Sequence, residues 1–172
     1  MVTPEDATRG YPDTAIGKQL RMISQLLQAD WPSRMYYVIQ PGYDTHSSQL
    51  YVHSGLLRDL SAAVSSVQQD LRTAGLDEKV VTLCFSEFGR RVTENDSEGT
   101  DHGTAGPVFI IGRQVRGGLY GATPSLSELT TDNLETSLDF RQAYATLIDR
   151  WLNADPDLFL GAEFEMLYFL PA

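Results

Sequence analysis

Apolar positions recur at helical spacing in three stretches, with short continuous apolar runs between them. Ile16, Leu20, Ile23, Leu26 and Leu27 form the first stripe, which closes at Gln28. A period near 3.6 predicts an amphipathic helix. Tyr11-Pro12-Asp13-Thr14 precedes it, with Asp13 or Thr14 as N-cap, and Pro32 ends it. Leu56, Leu57, Leu60, Ala63, Val64, Val67 and Leu71 mark a second helix that begins near Gln49 and is capped by Gly75. Phe140, Tyr144, Leu147, Ile148 and Trp151 mark a third, from Asp139 to Leu152. Between the helices lie Arg34–Ile39, Val80–Phe85 and Pro107–Gly112, short runs rich in β-branched and aromatic residues that read as strands. The glycine-rich Val115–Gly121 reads as a hairpin or turn, and Ser125–Leu129 as a helix or turn. The aromatic tail, Phe159–Leu170, is expected to dock on the body.

The order helix, strand, helix, strand implies parallel strands joined by crossover helices, an α/β class. A chain of 172 residues fits one domain, placed here at 11–172 behind a polar flexible start at 1–10. Three strands make a small sheet, and the chain opens on a helix. It therefore reads as the second half of a larger α/β domain. An incomplete sheet leaves an exposed edge, which predicts either a homo-oligomer joined through that edge or an edge covered by the tail.

Charge narrows the partners. Thirteen Lys and Arg stand against 23 Asp and Glu, a net charge of −10. Neutralising phosphates takes clustered cations, so nucleic acid is not expected as a partner. No apolar run approaches the roughly 20 residues of a membrane span. The start, Met1 to Tyr11, holds no apolar segment of the signal-peptide kind. The single Cys84 falls inside a predicted strand and reads as a small core residue.

The chemistry gathers after two predicted strands. Gln40-Pro41-Gly42-Tyr43-Asp44-Thr45-His46 follows the first, and Ser86 to Gly106 follows the second as one long loop. In open α/β sheets, ligands bind at the carboxyl ends of strands. Each loop holds an Asp/His pair, Asp44 with His46 and Asp101 with His102, and carboxylate with imidazole is a standard ligand set for divalent ions. The expectation is that the two pairs converge on one metal. Asp44 alone also suits a turn. Adjacent Asp101 and His102 reach one ion only on an irregular backbone, which Gly99 and Gly103 permit. Glu87 is a candidate metal ligand or general base, or the partner of Arg90 in a salt bridge. Arg90 and Arg91 offer a fork for phosphate, sulfate or carboxylate. His53 reads as a surface residue or one standing behind the ligands. No phosphate-binding glycine loop, dinucleotide fingerprint or Gly-x-Ser-x-Gly elbow is present.

The ordered motifs resemble the bacterial domain-of-unknown-function family 1501. They run Tyr11-Pro12, Gly42-Tyr43-Asp44-Thr45-His46-x-x-Gln49, Ser86-Glu87-Phe88-Gly89-Arg90, Asn95, Gly99-Thr100-Asp101-His102-Gly103, Gly117-Gly118-x-Tyr120-Gly121-x-x-Pro124 and Asp139-Phe140-Arg141. Members are often labelled sulfatase-like and placed near the alkaline phosphatase superfamily. The resemblance implies a three-layer α/β/α sandwich around a mostly parallel sheet, here incomplete at the amino-terminal side. It implies a metal-dependent hydrolase-like domain acting on small anionic phosphate or sulfate esters, catalytically incomplete as this chain. Asp44, His46, Asp101 and His102 would be the ligands of a divalent ion, zinc, manganese or calcium, with Glu87 and Arg90 as catalytic candidates. The superfamily's late histidine has no counterpart after His102. The alternative is a non-catalytic metal- or anion-binding α/β module that serves partner contacts. A periplasmic or exported location follows if the full-length protein carries a twin-arginine signal, as the resemblance implies.

Overall fold

The computed structural model describes residues 10–171. The polar start expected at 1–10 lies outside them except for Gly10. The elements run α1 (Ala15–Gln28), α2 (Gln49–Thr73), a 3-10 turn (Asp77–Lys79), β1 (Thr82–Cys84), β2 (Gly89–Glu94), β3 (Thr100–Gly103), β4 (Phe109–Ile111), α3 (Phe140–Arg150) and α4 (Pro156–Leu160). They form two compact units. Among the described residues, one holds 10–80 together with Asn95–Gly99, and the other holds Val81–Glu94 and 100–171.

The first unit is a helix pair. Thr14 is the N-cap of α1 and accepts from the Gly17 N–H at 3.2 Å. Ile16 and Leu20 of α1 and Ala63, Val64, Val67 and Leu71 of α2 are buried, and the two helices pack on each other. The pairing carries a polar pin as well. Tyr11 Oη and Ser24 Oγ both donate to Asp70 Oδ2, at 2.8 and 3.2 Å, and Gln28 Nε2 donates to Ser24 Oγ at 3.0 Å. Burial pushes the Tyr11 phenol well above its usual range, and the Asp70 carboxylate beside it adds to the shift. A buried hydroxyl needs such a partner, because leaving it dry and unpaired costs more than the bond contributes.

The second unit is built on two small antiparallel sheets and α3. β1 pairs with β4 in the register Thr82↔Ile111, Leu83↔Ile110 and Cys84↔Phe109. β2 pairs with β3 from Gly89↔Gly103 to Glu94↔Thr100, with an irregularity between Arg90 and Glu94. Asp139 caps α3 in a capping box with Gln142. Hydrogen bonds from the Arg141 side chain and backbone hold the Asp139 carboxyl down to about 2. Ala143, Phe169 and Leu170 form the core, with Val81, Ile110, Val115, Leu147, Trp151 and Leu167 packed against it. Burial pushes the Cys84 thiol up, which disfavours the reactive thiolate.

The tail is fixed by a polar bond as well as by packing. Thr146 is fully buried; its Oγ1 donates to the Gln142 carbonyl and accepts from the Leu167 N–H, both at 2.8 Å. Thr146→Val keeps the shape and strips the Leu167 N–H of its acceptor. The expected loss is about 1–3 kcal/mol, read from urea denaturation as a lower midpoint at unchanged slope.

The architecture corrects the expected fold. Among the described residues there is no parallel sheet and no α/β/α sandwich; both sheets have two strands and are antiparallel. The parallel reading took α2 as a crossover between two paired strands. Arg34–Ile39 instead forms no strand, and Met35, Tyr37 and Ile39 stand exposed along it. β1 takes β4 as its neighbour after the chain has turned back through the β2–β3 hairpin, and a reversed chain pairs antiparallel. That hairpin occupies what the sequence presents as loop. Among the described residues no helix is long and apolar enough to cross a membrane.

Candidate functional site

Within the first unit, the segment between Arg34–Ile39 and α2 is pinned to the helix it precedes. Gln40 Nε2 donates to the Leu56 carbonyl at 3.1 Å, and Tyr43 Oη donates to Gln40 Oε1 at 3.0 Å. The Tyr43 ring meets the His53 ring edge-on at 5.6 Å, so His53 stands behind the loop. Gly42 takes a left-handed φ of +104° over the Leu56 methyls. On this support Asp44 Oδ1 lies 3.0 Å from His46 Nε2, with 67% and 49% of the two side chains exposed.

A second piece of chain closes over the backbone just after His46. Ser48 begins α2 with a left-handed φ of +45° and makes no side-chain capping bond. The cap comes from the turn Asn95–Gly99. The Ser48 N–H donates to the Ser97 carbonyl and the Gln49 N–H to the Glu98 carbonyl, both at 2.9 Å. Two of the helix's orphan donors are thereby satisfied. Asn95 Nδ2 donates to the His46 carbonyl at 3.1 Å. Its Oδ1 accepts from the N–H groups of Ser97 and Gly99, at 3.0 and 3.1 Å. In the sequence Asn95 stands only as one of the ordered family motifs, with no part of its own assigned. The spacing of Asn95 and Gly99 around Ser97 was the available signal, since Asn bonds its own backbone two residues on and Gly permits close approach.

In the second unit, Asp101 and His102 lie on β3, both exposed. Successive residues of a strand project to opposite faces, so the two side chains diverge. The His102 ring stacks on Phe88, centroids 3.8 Å apart and planes 8° from parallel. Arg90 sets its guanidinium 5.1 Å from the Phe88 centroid and donates to the Thr100 carbonyl. Arg90 thus ties β2 to β3 at the level of His102. Arg91 Nε donates to the His102 carbonyl at 3.3 Å, and its Nη1 lies 4.0 Å from Asp132 Oδ2. Glu87 is exposed on the turn before β2.

The donor set fits a divalent ion in part. Carboxylate oxygen and imidazole nitrogen both ligate zinc at about 2.0–2.2 Å. Two donors 3.0 Å apart can grip one ion from adjacent corners of a tetrahedron, and the remaining corners would need other ligands or water.

A small α+β chain with an exposed, backbone-clasped Asp–His pair is the class these features define. Residues 8–159 match the family described as protein of unknown function (DUF1501), and the chain belongs to that family. No curated protein and no solved structure matches it.

Proposed function

We propose that this chain binds a divalent cation through Asp44 and His46. The supporting observation is the 3.0 Å separation of Oδ1 and Nε2 on a loop pinned from two sides. A ligand pair held in place before the ion arrives loses little freedom on binding. Asp101 and His102 are a second proposed pair, on the sequence pattern. Their divergence on β3 means that one of them, not both, serves a given ion.

The sulfatase-like resemblance suggests a use for the ion. A bound divalent cation polarises a phosphate or sulfate ester oxygen and lowers the pKa of coordinated water. At an ion held within the second unit by Asp101 or His102, Arg90 would contribute positive charge near the anion, and Glu87 would serve as base. The exposure of Asp44 and His46 favours binding over turnover, because metal catalysis draws on a dry, shaped cavity.

Isothermal titration with zinc or manganese is the test, on wild type and on Asp44→Ala, His46→Ala, Asp101→Ala and His102→Ala. Loss of either Asp44 or His46 should weaken binding by at least about tenfold, as expected when a ligand is removed. Affinity unchanged in both variants would refute the reading. Turnover of an aryl phosphate or sulfate that vanishes with chelator would extend it to hydrolysis.

A further inference from the structure

We propose that Asn95 is the positioning residue of the Asp44–His46 pair, fixing the His46 carbonyl and so the direction in which the imidazole leaves the backbone. The inference rests on the metal-binding reading of that pair. Three bonds carry it. Asn95 Nδ2 donates to the His46 carbonyl at 3.1 Å, which sets the plane of the peptide after His46. The next two amides, Ser48 and Gln49, donate into the same turn at Ser97 and Glu98. Asn95 cannot swing away while doing this, because its Oδ1 accepts from the Ser97 and Gly99 N–H groups. The Asn95 N–H is held too, by the Gly99 carbonyl at 2.8 Å. The side chain therefore acts at a fixed point 49 residues away in sequence.

The side chain also explains why an amide is needed there. The turn asks for an acceptor and the His46 carbonyl asks for a donor, and an amide supplies both. A carboxylate supplies the first alone. Asn95→Asp keeps the shape and the acceptors for Ser97 and Gly99, loses the donor, and faces the His46 carbonyl with an oxygen. That single substitution separates holding the turn from positioning the histidine.

The experiment is zinc titration of the full chain by calorimetry, with melting curves alongside. Asn95→Asp should weaken zinc binding by about 10–100-fold, the usual effect of removing a group that orients a metal ligand, with the melting midpoint close to wild type. Ser97→Ala removes no bond of the clasp and should bind as wild type does. If Asn95→Asp binds zinc as tightly as wild type while His46→Ala does not, the positioning role is wrong and the metal reading stands. If wild type takes up no zinc, both fall. An equal loss in Ser97→Ala would also overturn the role, since it would show general sensitivity of the turn. Should Asn95→Asp fail to fold, amide exchange in the wild type decides. Zinc should slow exchange at Ser97 and Gly99, and unchanged rates at both would overturn the proposal.

Discussion

Phe169→Ala should cost the second unit about 3–5 kcal/mol, the range for removing a buried aromatic ring. Phe169 is 1% exposed and is the largest of the fully buried side chains. It packs with Ala143 and Leu170 and meets Tyr120 edge-on at 6.0 Å. The ring leaves a cavity among Ala143, Leu170 and the side chains packed on them, and its penalty adds to the lost burial as far as these do not close in. The residue also fastens the chain through its backbone, since its carbonyl accepts from the Arg116 N–H at 2.8 Å. That bond survives the substitution, so the measured loss reports packing. Tyr168→Ala is the control: Tyr168 is 74% exposed, and a surface substitution of this kind stays within about 0.5 kcal/mol. Urea denaturation of the two variants makes the comparison. A loss below about 1 kcal/mol for Phe169→Ala, well short of the range for a core aromatic, would mean that the tail is not docked.

The sequence was most legible where structure is local. The helices α1, α2 and α3 follow from spacing alone, and the cap at Thr14 from its place next to the first of them, although α3 buries Ala143, Ala145 and Thr146 instead of the expected stripe. Strand pairing is not local, and there the reading failed. Nothing in Arg34–Ile39 or Val80–Phe85 says which strand each will meet, so a parallel sheet was inferred from element order. β2 escaped notice because Gly89-Arg90-Arg91-Val92-Thr93-Glu94 has one aliphatic side chain and no apolar alternation. The tail shows the limit of composition. Phe169 and Leu170 are buried, whereas Phe159 is 70% exposed, and aromatic content does not say which ring turns inward. At the loop, Asp44 and His46 lie two residues apart, so their pairing was open to inspection. The Asn95 clasp joins a side chain to a backbone carbonyl far along the chain, and a pattern of residue types carries no record of such a bond.

Gly99→Ala tests the clasp from its other side. A Cβ at this position would sit 2.3 Å from the His46 carbonyl carbon, 2.4 Å from its oxygen and 2.8 Å from the Ser47 nitrogen. All three are backbone atoms, so no flexible side chain can yield. Either the turn lifts or the segment after His46 shifts, and both separate Asn95 from the His46 carbonyl. Overpacking of this kind costs about 1–3 kcal/mol. The amide bonds of Ser48 and Gln49 to the turn would weaken with it, loosening the start of α2. If Asp44 and His46 hold a metal, zinc affinity should fall by about 10–100-fold, as it does when the groups behind a ligand are disturbed. Gly117→Ala is the matched control. A Cβ there meets nothing within 4 Å, and such a change leaves stability within about 0.5 kcal/mol. Melting curves and zinc titration of both variants separate the two effects. Wild-type stability in Gly99→Ala would show that the turn is not seated on His46. Lowered stability with unchanged zinc affinity would show that it is seated but does not govern the ligand pair.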